Sequence, residues 1–214
     1  MGSWLETLMT VVILTNLLLL ASSRLGGCIR FVQWQGIALG LLPLFTHGGH
    51  LSLRIALLSI GTLAIKAVIF PWLLGRTLRE VRVRREVEPF VGYTSSIGMG
   101  MMALLLSVWL SERLPLPAEI VSPLAVPVAF FTIFSGLFLI VSRRKAFTQV
   151  IGYLVLENGI YVFGAALVHG EPLLIELGIL LDALVAVFVF GIAIHHISQE
   201  FDSIDVGNIA DLKD

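Results

Sequence analysis

The sequence predicts an all-α, polytopic integral membrane protein with about seven transmembrane helices, and three observations lead there. The chain is 57% hydrophobic and only 14% charged, with a mean hydropathy of +0.95, whereas an ordinary soluble domain is about 45–50% apolar and about 25% charged. A soluble fold of 214 residues with that excess would expose large apolar patches. Apolar runs of roughly 17 to 25 residues recur between short polar connections, the length that crosses about 30 Å of hydrocarbon. No alternating strand pattern competes, and only helices or closed barrels satisfy the backbone in lipid.

In chain order the spans are expected near 4–23, 30–46, 51–75, 91–110, 122–141, 148–168 and 173–197. The first has no basic residue before it and contains Glu6, so it reads as a spanning helix rather than an excised leader. The second is the shortest and carries Gln33 and Gln35, which makes it the weakest by composition. The third has Lys66 in its middle and Pro71 shortly after. Proline has no N–H to offer the carbonyl of Ala67 four residues back, so a kink or local opening beside the lysine is expected. In the fourth, Gly98 and Gly100 with Ser95 and Ser96 read as close helix packing.

The basic residues set the orientation. If odd-numbered connections share a side with the C-terminus, that side holds Arg24, Arg30, Arg76, Arg79, Arg82, Arg84, Arg85, Arg143, Arg144, Lys145 and Lys213, eleven of the fourteen. The other side has only Arg54 and Arg113. The positive-inside rule then puts the C-terminus in the cytoplasm and the N-terminus outside. Three regions follow: 1–121 as a four-helix membrane region with a basic cytoplasmic loop over 76–89, 122–197 as a three-helix membrane region, and 198–214 as a polar cytoplasmic tail.

A net charge of -1 gives no reason to expect nucleic acid. Cys28 is the single cysteine, which excludes an intrachain disulfide or a cysteine cluster. His47 with His50, and His195 with His196, lack the convergent acidic or thiol partners a metal needs. No nucleotide fingerprint or hydrolytic triad is present either, so neither a metal, a cofactor nor a catalytic site is expected.

What stands out is a small set of ionisable residues inside the spans: Lys66 in the third, Glu157 in the sixth, Glu176 and Asp182 in the seventh. Intramembrane charges cost roughly 2.5–3.5 kcal/mol each on insertion scales and usually mark an ion pathway or a paired site. Glu176 lies about a turn inside its span after Pro172, where it could cap the helix start or reach the interface. Asp182 is about ten residues in, ~15 Å of rise, too deep for so short a side chain to escape. Lys66 could pair with Glu157 or with Asp182 as an inert buried ion pair.

The stretch "GYLVLENGIYVFG" makes the strongest case. Tyr153, Glu157, Tyr161 and Gly164 are spaced i, i+4, i+8 and i+11, near one helix face, with Asn158 adjacent. Two phenols and an amide can organise hydrogen bonds and water around the carboxylate, a setting in which an acid could take up and release a proton.

The segments "SRRKAFTQVIGYLVLENGIYVFGAAL", "ELGILLDALVAVFVFGIAI" and "SIDVGNIADLKD", with the "IK" and following proline of the third span, resemble the E component of hydrogenase-4 type membrane-bound hydrogenases over essentially the whole chain. The last third is also similar, more distantly, to the three-helix K-type subunit of respiratory complex I (NuoK) and to the C subunit of Mrp antiporters. In that pattern a basic turn leads into a helix with a central glutamate, and a second acid sits in the next helix, here Asp182. The position matching that glutamate is Leu154, with Glu157 three residues later.

The resemblance implies a membrane-arm subunit in a bacterial or archaeal plasma membrane, partnered by large antiporter-like subunits and by a redox module that carries the cofactors. It further implies that Glu157 and Asp182 are protonatable relay sites, Lys66 a modulating charge and Glu176 an entrance group. The competing reading is a structural adaptor whose buried charges merely pair. A self-sufficient transporter is the third, disfavoured because no internal repeat is evident.

Overall fold

The computed structural model describes residues 2–46, 53–80, 90–115 and 122–167. Among these there is no strand, and six helical stretches are long and apolar enough to cross a membrane. The chain is an all-α, multi-pass membrane protein. The expected seventh span, with Glu176, Asp182 and the tail, lies outside the described residues, as do all four histidines above and most of the basic loop.

The helices are α1 (Gly2–Ala21), α2 (Leu25–Thr46), α3 (Leu53–Thr62), α4 (Phe70–Glu80), α5 (Tyr93–Arg113), α6 (Ala125–Ser142) and α7 (Ala146–Leu167). α3 and α4 belong to one span, joined without interruption by a seven-residue π-helical segment, Leu63–Ile69. In α1 the hydroxyls of Thr10 and Thr15 donate to the carbonyls of Glu6 and Val11 one turn back, both at 2.8 Å. That lets polar side chains sit in an apolar helix. After Ala21 the chain turns at once: the Ser22 amide donates to the Leu19 carbonyl, and the Gly27 amide to that of Arg24.

α2 starts at Leu25, five residues before the expected 30. Leu25, Cys28 and Ile29 are buried against α1, α4 and α7, and this tertiary burial adds the helical turn that a stretch with Arg24, Gly26 and Gly27 did not advertise. Only Arg143, Arg144 and Lys145 separate α6 from α7, so the two must run antiparallel. They pack backbone to backbone: a Cβ on Gly159 would stand 2.6 Å from the Ile133 amide nitrogen, and one on Gly152 2.9 Å from the Gly136 carbonyl oxygen. Small residues let helices approach where lipid supplies no hydrophobic drive.

Two apolar clusters form the interior. One joins Leu19 and Leu20 of α1 with Val32, Leu74, Leu139, Ile151 and Leu154. The other joins Met9 and Val12 of α1 with Leu39, Leu42, Val128, Ala129 and Val162. α1, α2, α6 and α7 each contribute to both, at positions two to three turns apart, whereas α4 joins only the first. The level between them on α1, α2, α6 and α7 is the one at which Asn16, Gln35, Thr132 and Glu157 fall.

The fourth span carries one correction to the expected glycine packing. Gly100 meets Leu20, whose Cγ would lie 3.9 Å from an added Cβ, but a Cβ on Gly98 would meet nothing within 4 Å. Gly98 faces outward, so it is not a packing glycine among the described residues.

Candidate functional site: a buried charged and amide belt

Lys66 points from the π-helical segment into the bundle, where its ammonium forms an ion pair with Oε2 of Glu157. Both are buried, at 5% and 1% exposure, deeper than charges normally go without a partner. Nζ also donates to Oδ1 of Asn158 at 3.2 Å. Asn158 Nδ2 donates to Gln35 Oε1 at 3.1 Å, and Gln35 Nε2 to Asn16 Oδ1 at 2.7 Å. Asn16 Nδ2 donates to Thr132 Oγ1 at 2.8 Å, and that hydroxyl to the Val128 carbonyl at 2.7 Å. The result is one hydrogen-bonded belt that ties the π-helical segment, α7, α2, α1 and α6 together, with every side chain in it buried.

Local backbone explains the lysine's position. The Phe70 amide donates to the Ile65 carbonyl, five residues back rather than four, the wide turn often found at functional sites. Pro71 withholds the N–H that Ala67's carbonyl would otherwise receive, and the side chain of Gln33 supplies one instead, at 3.0 Å. The expected opening beside the lysine is therefore present but filled by a glutamine. α2 comes close enough because Gly36 has no side chain: a Cβ there would lie 2.6 Å from both carbon and oxygen of the Lys66 carbonyl.

The sequence-predicted residues divide plainly. Lys66, Glu157 and Asn158 are brought together. Tyr161 presents its ring to the ammonium, 5.8 Å from Nζ to centroid, within cation–π range. Tyr153 packs on the cluster that contains Leu154. Asn16, Gln35 and Thr132 went unrecognised, although amides in the middle of apolar runs were there to be noticed. Gln33 and Gln35, which weaken the second span by composition, both hydrogen-bond to neighbouring helical segments in the fold.

A second buried cation was also missed. Arg143, expected as a topology-setting charge in the basic turn between α6 and α7, is 1% exposed. Its Nη2 donates to the Leu20 carbonyl at 3.0 Å and its guanidinium lies 4.6 Å from the Tyr93 ring centroid. A cation at the C-terminal carbonyls of α1 complements that helix end, and the contacts put the α1–α2 turn, the start of α5 and the α6–α7 turn at one end of the bundle.

Fold and belt together define a polytopic helical membrane protein with a charge pair at mid-span. The chain belongs to the family of the uncharacterized protein Rv0085 of Mycobacterium tuberculosis, to which it is 31% identical over 203 residues, 94% of this chain and 92% of that one. It is also similar to hydrogenase-4 component E of Escherichia coli K12 and of Shigella flexneri, each 27% identical over 157 residues, 72% of both chains. No family model matches the sequence. No solved structure matches it either.

Proposed function

We propose that this protein is a membrane subunit of a hydrogenase-4-like or complex I-like respiratory assembly. Its intramembrane charges take part in proton or ion translocation, coupled to redox chemistry in partner subunits. The observation that carries the reading is the Lys66–Glu157 pair, buried at mid-span and joined to a polar belt. A charge pair is expensive to keep in a membrane, and ion pathways and proton relays are among the uses for which such charges are kept. The likeness to hydrogenase-4 component E supports the assembly. Glu157 and Asp182 serve as protonatable sites, Lys66 as modulating charge and Glu176 as entrance group, with 122–197 as the portion resembling the K-type subunit.

Large antiporter-like subunits are the neighbours on this reading, in the plasma membrane of a bacterium or archaeon. The C-terminus is cytoplasmic and the N-terminus outside, an assignment supported by Arg24 and Arg143–Lys145 sharing one end of the bundle.

The adaptor reading is favoured by a specific observation too: each link of the belt has a donor meeting an acceptor, which is what a static fastening requires. Glu157→Gln and Asp182→Asn, assayed in the assembled complex in inverted vesicles, separate the two. Translocation should be lost while native gels show assembly intact. Normal translocation in both variants would remove the relay, and loss of assembly would leave the adaptor.

A further inference from the structure

We infer that Asn158, Gln35 and Asn16 are positioning residues that act through Lys66 as one polarised, reversible amide chain, whose direction follows whether the Lys66–Glu157 pair has kept or released its proton. The inference rests on the relay reading of that pair.

A chemical asymmetry sets the direction. An ammonium can donate hydrogen bonds but not accept them, whereas a primary amide has one accepting oxygen and one donating nitrogen. Lys66 therefore obliges Asn158 to turn its oxygen inward. Its nitrogen must then face Gln35, which must accept with Oε1 and donate with Nε2 to Asn16, which donates in turn to Thr132. The threonine hydroxyl ends the series on the Val128 carbonyl. All links point the same way, away from the lysine.

Turning Asn158 or Gln35 over alone would set nitrogen against nitrogen on one side and oxygen against oxygen on the other, and turning Asn16 over alone would set its nitrogen against that of Gln35. In a buried site each such orphan loses its partner with no water to replace it, so the chain reverses as a whole or not at all. The reversed chain needs an acceptor at Lys66, which only a neutral amine supplies. In that exchange an Nζ–H bond breaks with its electron pair left on nitrogen, and an Oε2–H bond forms on Glu157. The acid then gives the proton to water, leaving amine, carboxylate and hydronium. The amine still donates to Glu157, and its lone pair now accepts from Asn158 Nδ2. Gln35, Asn16 and Thr132 follow, the hydroxyl swinging from the Val128 carbonyl to Asn16 Oδ1. The four links between side chains from Lys66 to Thr132 are kept in both directions and only the bond to the Val128 carbonyl is given up, the property of a bistable element.

Among the described residues the titratable groups around the pair are Glu157, Tyr153 and Tyr161, all on α7. α1, α2 and α6 meet the chain through Asn16, Gln35 and Thr132, and Cys28 lies two turns along α2 in an apolar cluster. Glu176 and Asp182 lie outside the described residues.

The chain has only three asparagines, Asn16, Asn158 and Asn208, which makes the test tractable. Full-length protein with isotope-labelled asparagine and glutamate, carrying Asn208→Ser, is placed in lipid nanodiscs, and infrared difference spectra are taken between neutral and alkaline pH. Two side-chain amide bands should shift together with a carboxylate band. Gln35→Leu should keep the Asn158 shift and lose the Asn16 shift, and Lys66→Met should lose both; a role confined to packing would move neither. Silent amides beside a shifting carboxylate would overturn the chain and leave the relay standing. Amide shifts that survive Lys66→Met would also overturn it. Silence in all bands would remove chain and relay together. Shifting amides in a protein whose Glu157→Gln variant still translocates would keep the chain and remove Glu157 as its outlet.

Discussion

α5 and α7 are of nearly equal length, 21 and 22 residues, and both are apolar enough to span a membrane, yet they lie in opposite surroundings. α5 turns Met102, Leu105 and Trp109 outward, 66%, 69% and 50% exposed. α7 buries Ile151, Leu154, Val155 and Val162 almost completely. Hydrophobicity does not make the difference, since lipid is as apolar as leucine. Glycines and polar side chains do: Gly152 and Gly159 of α7 press on the backbone of α6, and Glu157 and Asn158 find partners only inside. α5 offers Gly98 to open space and carries no charge at mid-span.

The largest effect that would break this contrast is removal of half the ion pair. Glu157→Ala leaves Lys66 buried without its carboxylate and should destabilise by about 3–5 kcal/mol, while the double change Lys66→Met with Glu157→Leu should restore most of it. Unfolding by SDS in mixed micelles reads both. A single variant as stable as the wild type would show that the pair does not form.

Next comes the glycine comparison. Gly159→Leu drives a side chain into the Ile133 amide and the Ala129 carbonyl and should cost about 1–3 kcal/mol. Gly98→Ala on α5 should be neutral or stabilise by up to ~1 kcal/mol through helix propensity. Equal effects at the two sites would erase the difference between the helices.

Gln35→Leu breaks two belt links and should destabilise by about 1–2 kcal/mol, the model-peptide range for interhelical hydrogen bonds in membranes. Gln33→Leu removes the single bond to the Ala67 carbonyl and should cost about 0.5–1.5 kcal/mol. Slower hydrogen exchange at Phe70 in that variant would contradict the π-helical segment's need for the glutamine. Leu105→Ala, on the outward face of α5, should stay within about 0.5 kcal/mol by the same unfolding assay.

The sequence by itself determined the membrane class, the order of six described spans, the two mid-span charges and the carbonyl that Pro71 deprives of a partner. Each follows from what a bilayer or a proline ring forbids, and such prohibitions act on residues one at a time or on contiguous runs. Only the tertiary structure decided that Lys66 pairs with Glu157 on another span, that Asn16, Gln35, Asn158 and Thr132 form one belt, and that Arg143 is buried rather than solvated. Helices that are apolar on every side carry no stripe to say which face turns inward. Which face does so depends on glycine contacts and polar partners supplied by residues as far apart as Asn16 and Thr132.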